Sequence, residues 1–184
     1  ARHARQIATV HRLGPGLHDS FAMRAEAEAH LREGRFEEAE RTLADLDLAE
    51  RHARAPALLA GAARVRHLYF RGRVDRLIAL AQAWHAIEVP ALRPLGSSLA
   101  TFAEAMAALH TSADPERTIA LFEEAEHSSQ RWAFLAREVA LYGIAARIVA
   151  GREVEARAAL RRVARFLDRA PSAWASAHHR RFEG

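Results

Sequence analysis

The stretch MRAEAEAHLREGRFEEAERTLADLDL, residues 23–48, decides the fold. Its apolar and small residues recur at helical spacing, and it divides into two short helices joined at Glu33-Gly34-Arg35-Phe36. Small Ala27 and Ala39 sit where the two backbones would cross. The first helix, A1, is expected over Phe21–Glu33 and the second, B1, over Phe36–Arg51.

The remainder of the chain repeats this hairpin imperfectly. Aligning the turns gives EGRFEEA at 33–39, RGRVDRL at 71–77, SADPERT at 112–118 and AGREVEA at 150–156. Their central residues, Gly34, Gly72, Ala113 and Gly151, are 38, 41 and 38 residues apart. A period of this length with two helices per unit is the signature of a helical solenoid, whose hairpins bury their apolar faces by stacking. The expected architecture is therefore all-α, an α-solenoid of antiparallel hairpins in one domain. Its parts are a leading half-unit at 1–14, units at 20–54, 55–90, 91–128 and 129–170, and a trailing partial helix at 171–184.

Local signals place the other helices. Ala4, Ile7, Val10 and Leu13 form an apolar stripe for a leading helix, stopped by Gly14-Pro15-Gly16. Asp19 or Ser20 is expected to cap A1 by accepting its orphan amide hydrogens. Pro56 suits the first turn of A2, which runs to Arg71. B2 covers Val74–Ile87, and VPALRPLG interrupts before A3 at Leu95–His110. Asp114-Pro115 restarts the chain as N-cap and first helical residue of B3, which ends near His127. Ser128 or Ser129 is expected to cap A4, Arg131–Ala150, and B4 covers Glu153–Asp168. Pro171 and Ser172 open the trailing helix through Trp174. Period-two alternation is nowhere sustained, so no strand is expected.

The first unit resembles a tetratricopeptide repeat. Ala27, Gly34, Phe36, Ala39 and Leu43 occupy that family's small–Gly–aromatic–Ala–large pattern. The fourth unit keeps Gly151, Ala156 and Leu160. The second keeps Gly72 but has Val65 and Leu77 at the small positions, and the third has Met106, Ala113 and Thr118. Ala/Leu/Arg-rich repeats of this length are similar to those of MalT-like, LuxR-type bacterial transcriptional regulators, where they form a sensor or protein-binding arm. The resemblance implies a right-handed superhelix whose A helices line a concave groove for a protein or peptide. Carried over by register, the groove positions are Arg24, Glu28 and Arg32 in the first unit and Arg66, Tyr69 and Phe70 in the second. The third supplies Ala107 and His110, and the fourth Glu138, Leu141 and Ala145.

Composition bounds the remaining possibilities. All 27 cationic side chains are Arg, against 23 Asp and Glu, and they alternate along most segments as solvated helical faces do. The chain has no Cys, hence no disulfide or thiolate site, and no apolar run approaches a membrane span. It does not begin with Met and is expected to be one piece of a larger cytoplasmic protein. His178-His179-Arg180-Arg181 is the one tight histidine cluster, and neighbouring helical side chains point about 100° apart, a poor chelating geometry. His18-Asp19-Ser20 contains triad residue types but is better explained as a helix cap. Trp84, Trp132 and Trp174 are expected to pack structurally, and Glu37-Glu38 and Glu123-Glu124 to face water. The expectation is a non-enzymatic binding module without cofactor or metal, the alternatives being a small-ligand inducer sensor and an RNA-binding helical repeat. Self-association through end helices is also expected.

Overall fold

The computed structural model describes residues 17–52, 58, 60–111 and 114–169. Its secondary structure is entirely helical, with no strand among the described residues. The helices are α1 (Leu17–Arg32), α2 (Phe36–His52), α3 (Gly61–Phe70) and α4 (Val74–His85), followed by α5 (Arg93–Thr111), α6 (Pro115–Ser129), α7 (Ala133–Val149) and α8 (Glu153–Arg169). The expected leading helix, Pro56, Ala113 and the segment from Pro171 onward lie outside the described residues.

Two compact units divide the chain between Arg71 and Gly72. That boundary falls inside the stretch 55–90 expected as one hairpin. In the first unit α1 packs along α2, and both touch α3. In the second, each of α4 to α8 packs on its sequence neighbour, and α5 also packs on α7.

The turns explain the punctuation. Gly34, Gly72 and Gly151 all have positive φ, near 72°, 65° and 71°, a region where a Cβ is penalised. Two of these turns close identically. Gly34 N–H donates to the Leu31 carbonyl at 3.3 Å and Arg35 N–H to that of His30 at 2.9 Å; Gly151 and Arg152 donate to Ile148 at 3.0 Å and Arg147 at 2.8 Å. This pairing satisfies the last carbonyls of the preceding helix. Asp114 restarts the chain as expected, its side chain accepting from Arg117 N–H at 2.9 Å with Pro115 in the first turn.

Positions equivalent in the turn register share one burial. Ala39, Leu77, Thr118 and Ala156 are 0, 0, 3 and 5 % exposed, and Ala27, Val65, Met106 and Ile144 are 0, 0, 0 and 1 % exposed. In the first unit Ala27, Leu31, Ala39, Leu43, Leu46, Ala60 and Ala63 form one core, with Met23 and Phe36 packed against it. In the second, Leu77, Trp84, Leu99, Phe102, Phe122, Leu135 and Val139 are among the buried side chains.

Four local expectations are corrected. α1 already includes Asp19 and Ser20, because it starts at Leu17, so they sit in its first turns rather than before them. α3 begins only at Gly61, because Leu58 and Ala60 take non-helical geometry and Gly61 N–H closes a turn on the Leu58 carbonyl at 3.0 Å. Ser128 and Ser129 cap nothing. Their hydroxyls bond back to the carbonyls of Ala125 at 3.2 Å and Glu126 at 3.3 Å, extending α6. Gly96 does not interrupt a helix but lies within α5, where an added Cβ would meet Ile87 Cδ1 at 2.8 Å and the Trp84 carbonyl at 3.0 Å. It is there for close approach.

Candidate partner-binding face

The groove residues expected from the register fall in both units, and each set stands by itself. In the first unit they converge on Glu28 of α1. Its carboxylate lies 3.3 Å from Arg24 Nε and 3.8 Å from Arg66 Nη2 on α3, and its carbonyl accepts from Arg32 Nε at 3.1 Å. Arg66 is buried, Arg24 and Glu28 are half-buried and Arg32 is exposed. The arrangement fixes Glu28 between two guanidinium groups from neighbouring helices. A buried cation needs such a partner, because leaving water is expensive for a charge.

Arg66 is one of three buried basic groups on α3. Arg64 is paired with Asp47 of α2 and donates to the Leu43 carbonyl at 3.4 Å; His67 Nε2 lies 3.9 Å from Glu40. α3 is thus tied to the α1–α2 hairpin by acids from both helices. Its C-terminal end is aromatic. The Phe70 ring meets Phe36 at 6.1 Å and Tyr69 at 5.6 Å between centroids, the second edge-on. Tyr69 is half-buried, and that burial raises its phenol above the ordinary value of 10.0. Phe70 remains 46 % exposed. A large ring held by two others yet open to water is suited to anchoring an apolar side chain.

The second unit treats its expected positions differently. Leu141 is 2 % exposed and packs with Ile144, Ala156, Ala159 and Val163 between α7 and α8. Glu138 is buried and Ala145 half-buried. Ala107 is buried and borders a cleft of about 450 Å³ between α4, α5 and α6, with Ile78, Leu121, Glu104 and Arg117. His110 is exposed at the end of α5, its ring 3.6 Å from where a Cβ on Gly72 would stand. The structure links Arg24, Glu28, Arg32 and Arg66 through Glu28, sets Phe70 against Phe36 and Tyr69, and leaves the second-unit residues distributed between core and rim.

Other polar groups are structural in placement. Arg147 of α7 is 5 % exposed at its side chain and forks onto Glu123 and Glu126 of α6, 3.2 Å each, while donating to the Gly143 carbonyl at 3.1 Å. Arg152 pairs with Glu116 at 2.6 Å, and that hydrogen bond raises its pKa. Beside the Arg147 fork, α6, α7 and α8 border a cleft of about 260 Å³, lined by Ala136, Ala140, Ala159 and Val163 together with Glu126, Gln130, Arg137 and Arg162. Trp84 is buried and Trp132 half-buried. Among the described residues no group of three or more histidine or acidic side chains could hold a metal ion. No described helix is long and apolar enough to cross a membrane.

No protein-family model, curated protein or solved structure matches the chain.

Among the described residues five exposed large apolar side chains, Ile78, Val89, Ile148, Val149 and Val154, escape a reading by family groove positions. Ile148, Val149 and Val154 flank the α7–α8 turn at 46, 60 and 81 % exposure. Val149 is the register equivalent of Phe70, so extending the register to the last residue of each A helix would have marked it.

Proposed function

We propose that the chain is a non-enzymatic helical-repeat module, a tetratricopeptide-like solenoid, that binds a protein or peptide through the A-helix face of its first unit. Two features support the repeat: the shared burial at register-equivalent positions, and the packing of α1 on α3 and of α5 on α7, which joins alternate helices as stacked hairpins do. The observation that carries the binding role is Phe70, 46 % exposed while ringed by Phe36 and Tyr69, on the helix that also places Arg66 against Glu28. In the wider protein this arm would act as the regulatory segment of a multidomain bacterial transcriptional regulator, passing occupancy to neighbouring domains.

A random-peptide display selection against the chain tests this. Sequence-specific peptides should emerge, and Phe70→Ala should weaken them about 10-fold or more, as expected for a central aromatic anchor. Arg32→Glu should weaken the same peptides less. Selection yielding no specific peptide, or peptides indifferent to both variants, would refute the assignment.

The 260 Å³ cleft between α6, α7 and α8 favours one second reading, a sensor of a small ligand. Its apolar lining of Ala136, Ala140, Ala159 and Val163, with Gln130, Arg137 and Arg162 beside a Glu126 already faced by Arg147, suits a compact amphipathic molecule carrying a carboxylate. Thermal-shift measurements with a panel of small carboxylates separate the two. Stabilisation abolished by Arg137→Ala would favour the sensor.

A further inference from the structure

The side of α8 away from its core stripe carries charge that its neighbours leave largely uncancelled. Ala156, Ala159 and Val163 are buried in the core with Leu141 and Ile144 of α7, and Leu160 packs against them. Ala158, Arg161, Arg162 and Arg165 repeat the same helical spacing two residues further on, which turns them about 200° around the axis. The three arginines are exposed, whereas Ala158 and Ala164 are half-buried. No acidic residue occurs between Glu155 and Asp168.

The ion pairs made by the arginines of this helix are long. Arg157 lies 3.9 Å from Glu153, and Arg162 lies 3.9 Å from Glu126 of α6. Arg161 and Arg165 make no ion pair with any described residue. They stand one turn apart on one face, a spacing at which like charges repel and weaken the helix. An anionic partner would reverse that interaction.

We propose that this face docks an acidic amphipathic helix of a partner protein. The sign of the charge selects a carboxylate-bearing surface, and each guanidinium offers two parallel donors that match a carboxylate. Ala158 and Ala164 leave room for a second backbone to approach closely, and the aliphatic stems of the arginines extend the apolar area beside them. The α8 face belongs to the second unit and uses none of the residues assigned to the Phe70 face.

The test uses fluorescence anisotropy of the whole chain with a labelled helical peptide of about five turns, bearing Glu along one face and Leu beside it. The control peptide has Gln in place of every Glu. The acidic peptide should bind, and the Gln peptide at least tenfold more weakly. Binding of the acidic peptide should fall as salt rises from low to physiological concentration. Charge reversal at R161E/R165E, and neutralisation at R161Q/R165Q, should each cost at least tenfold without changing the circular dichroism spectrum, because both side chains point to water. Phe70→Ala should leave this affinity unchanged, which separates the two faces. Equal binding of both peptides, or no loss in either arginine variant, would overturn the proposal. So would tighter capture of oligothymidylate or phosphatidylserine vesicles by the same arginines. A concentration-dependent mass abolished by R161E/R165E would likewise overturn it, assigning the face to a second copy.

Discussion

The first unit, α1 to α3, and the second, α4 to α8, fill one register with different chemistry. At one register position the first unit has Ala27 and Val65 and the second Met106 and Ile144; at the other the first has Ala39 and the second Leu77, Thr118 and Ala156. In the first unit Leu31, Leu43 and Leu46 of α1 and α2 share a core with Ala60 and with Ala63 of α3. α3 is also joined by buried Arg64, Arg66 and His67 facing Asp47, Glu28 and Glu40. The second unit buries Phe102, Phe122, Leu99, Met106 and Leu135, and there Arg147 is buried with acids on α6. Both units thus set buried arginines against acids, and the second adds buried Trp84, Phe102 and Phe122.

The largest effect should come from cutting volume where volume dominates. Phe102 is fully buried and its ring lies 6.0 Å from that of Tyr142. Phe102→Ala should cost about 3–5 kcal/mol, read by denaturant unfolding and by lost amide protection in α5 and α7. A cost near that of a surface substitution would mean that the second unit is not built on its core.

Two glycines sharpen the comparison next. Gly96→Ala drives a Cβ against Ile87 and the Trp84 carbonyl and should cost about 1–3 kcal/mol. Gly34→Ala meets nothing within 4 Å, but its φ of 72° should still cost about 1 kcal/mol. If the order were reversed, close packing at the start of α5 would not be the constraint described.

In the first unit the sensitive element is a charge. Glu28→Ala leaves Arg66 without that carboxylate and should destabilise by about 1–2 kcal/mol, below the usual range for a buried pair because Glu28 is partly solvated and 3.8 Å away. Thermal unfolding measures it, and an unchanged midpoint would show that Arg66 does not depend on Glu28.

The smallest effect concerns Tyr69. Burial raises its pKa above 10.0, so the folded state favours the protonated phenol. Stability should be level below pH 10.0 and fall as the pH rises through the folded-state value, since the unfolded chain ionises first. The ultraviolet alkaline titration of the parent minus that of Tyr69→Phe isolates this group. A difference curve centred at or below 10.0 would contradict its burial.

Much of the fold was legible because turns and crossings are local. Gly34, Gly72 and Gly151 mark positions that demand positive φ, and Asp114-Pro115 is a cap readable from adjacent residues. Gly96 looked like a breaker because composition does not distinguish a helix stop from a close crossing. The serines at 128 and 129 have capping chemistry, but their hydroxyls found carbonyls in their own helix. The polar site was harder. Arg66 and Arg147 sit in an Arg/Glu alternation that resembles a solvated surface, and only the approach of α1 to α3, or of α6 to α7, decides which arginine is buried and which acid meets it. Leu141 carried a groove position by register, but the apolar face of α8 brings it into the core.

Hydrogen–deuterium exchange on the chain bound to a display-selected peptide tests the central claim most directly. A partner seated on the first-unit face should slow exchange around 24–32 and 66–71, and Phe70→Ala should abolish that protection while α5 and α7 stay as slow as before. Protection confined to the second unit, or none at all despite saturating peptide, would contradict it.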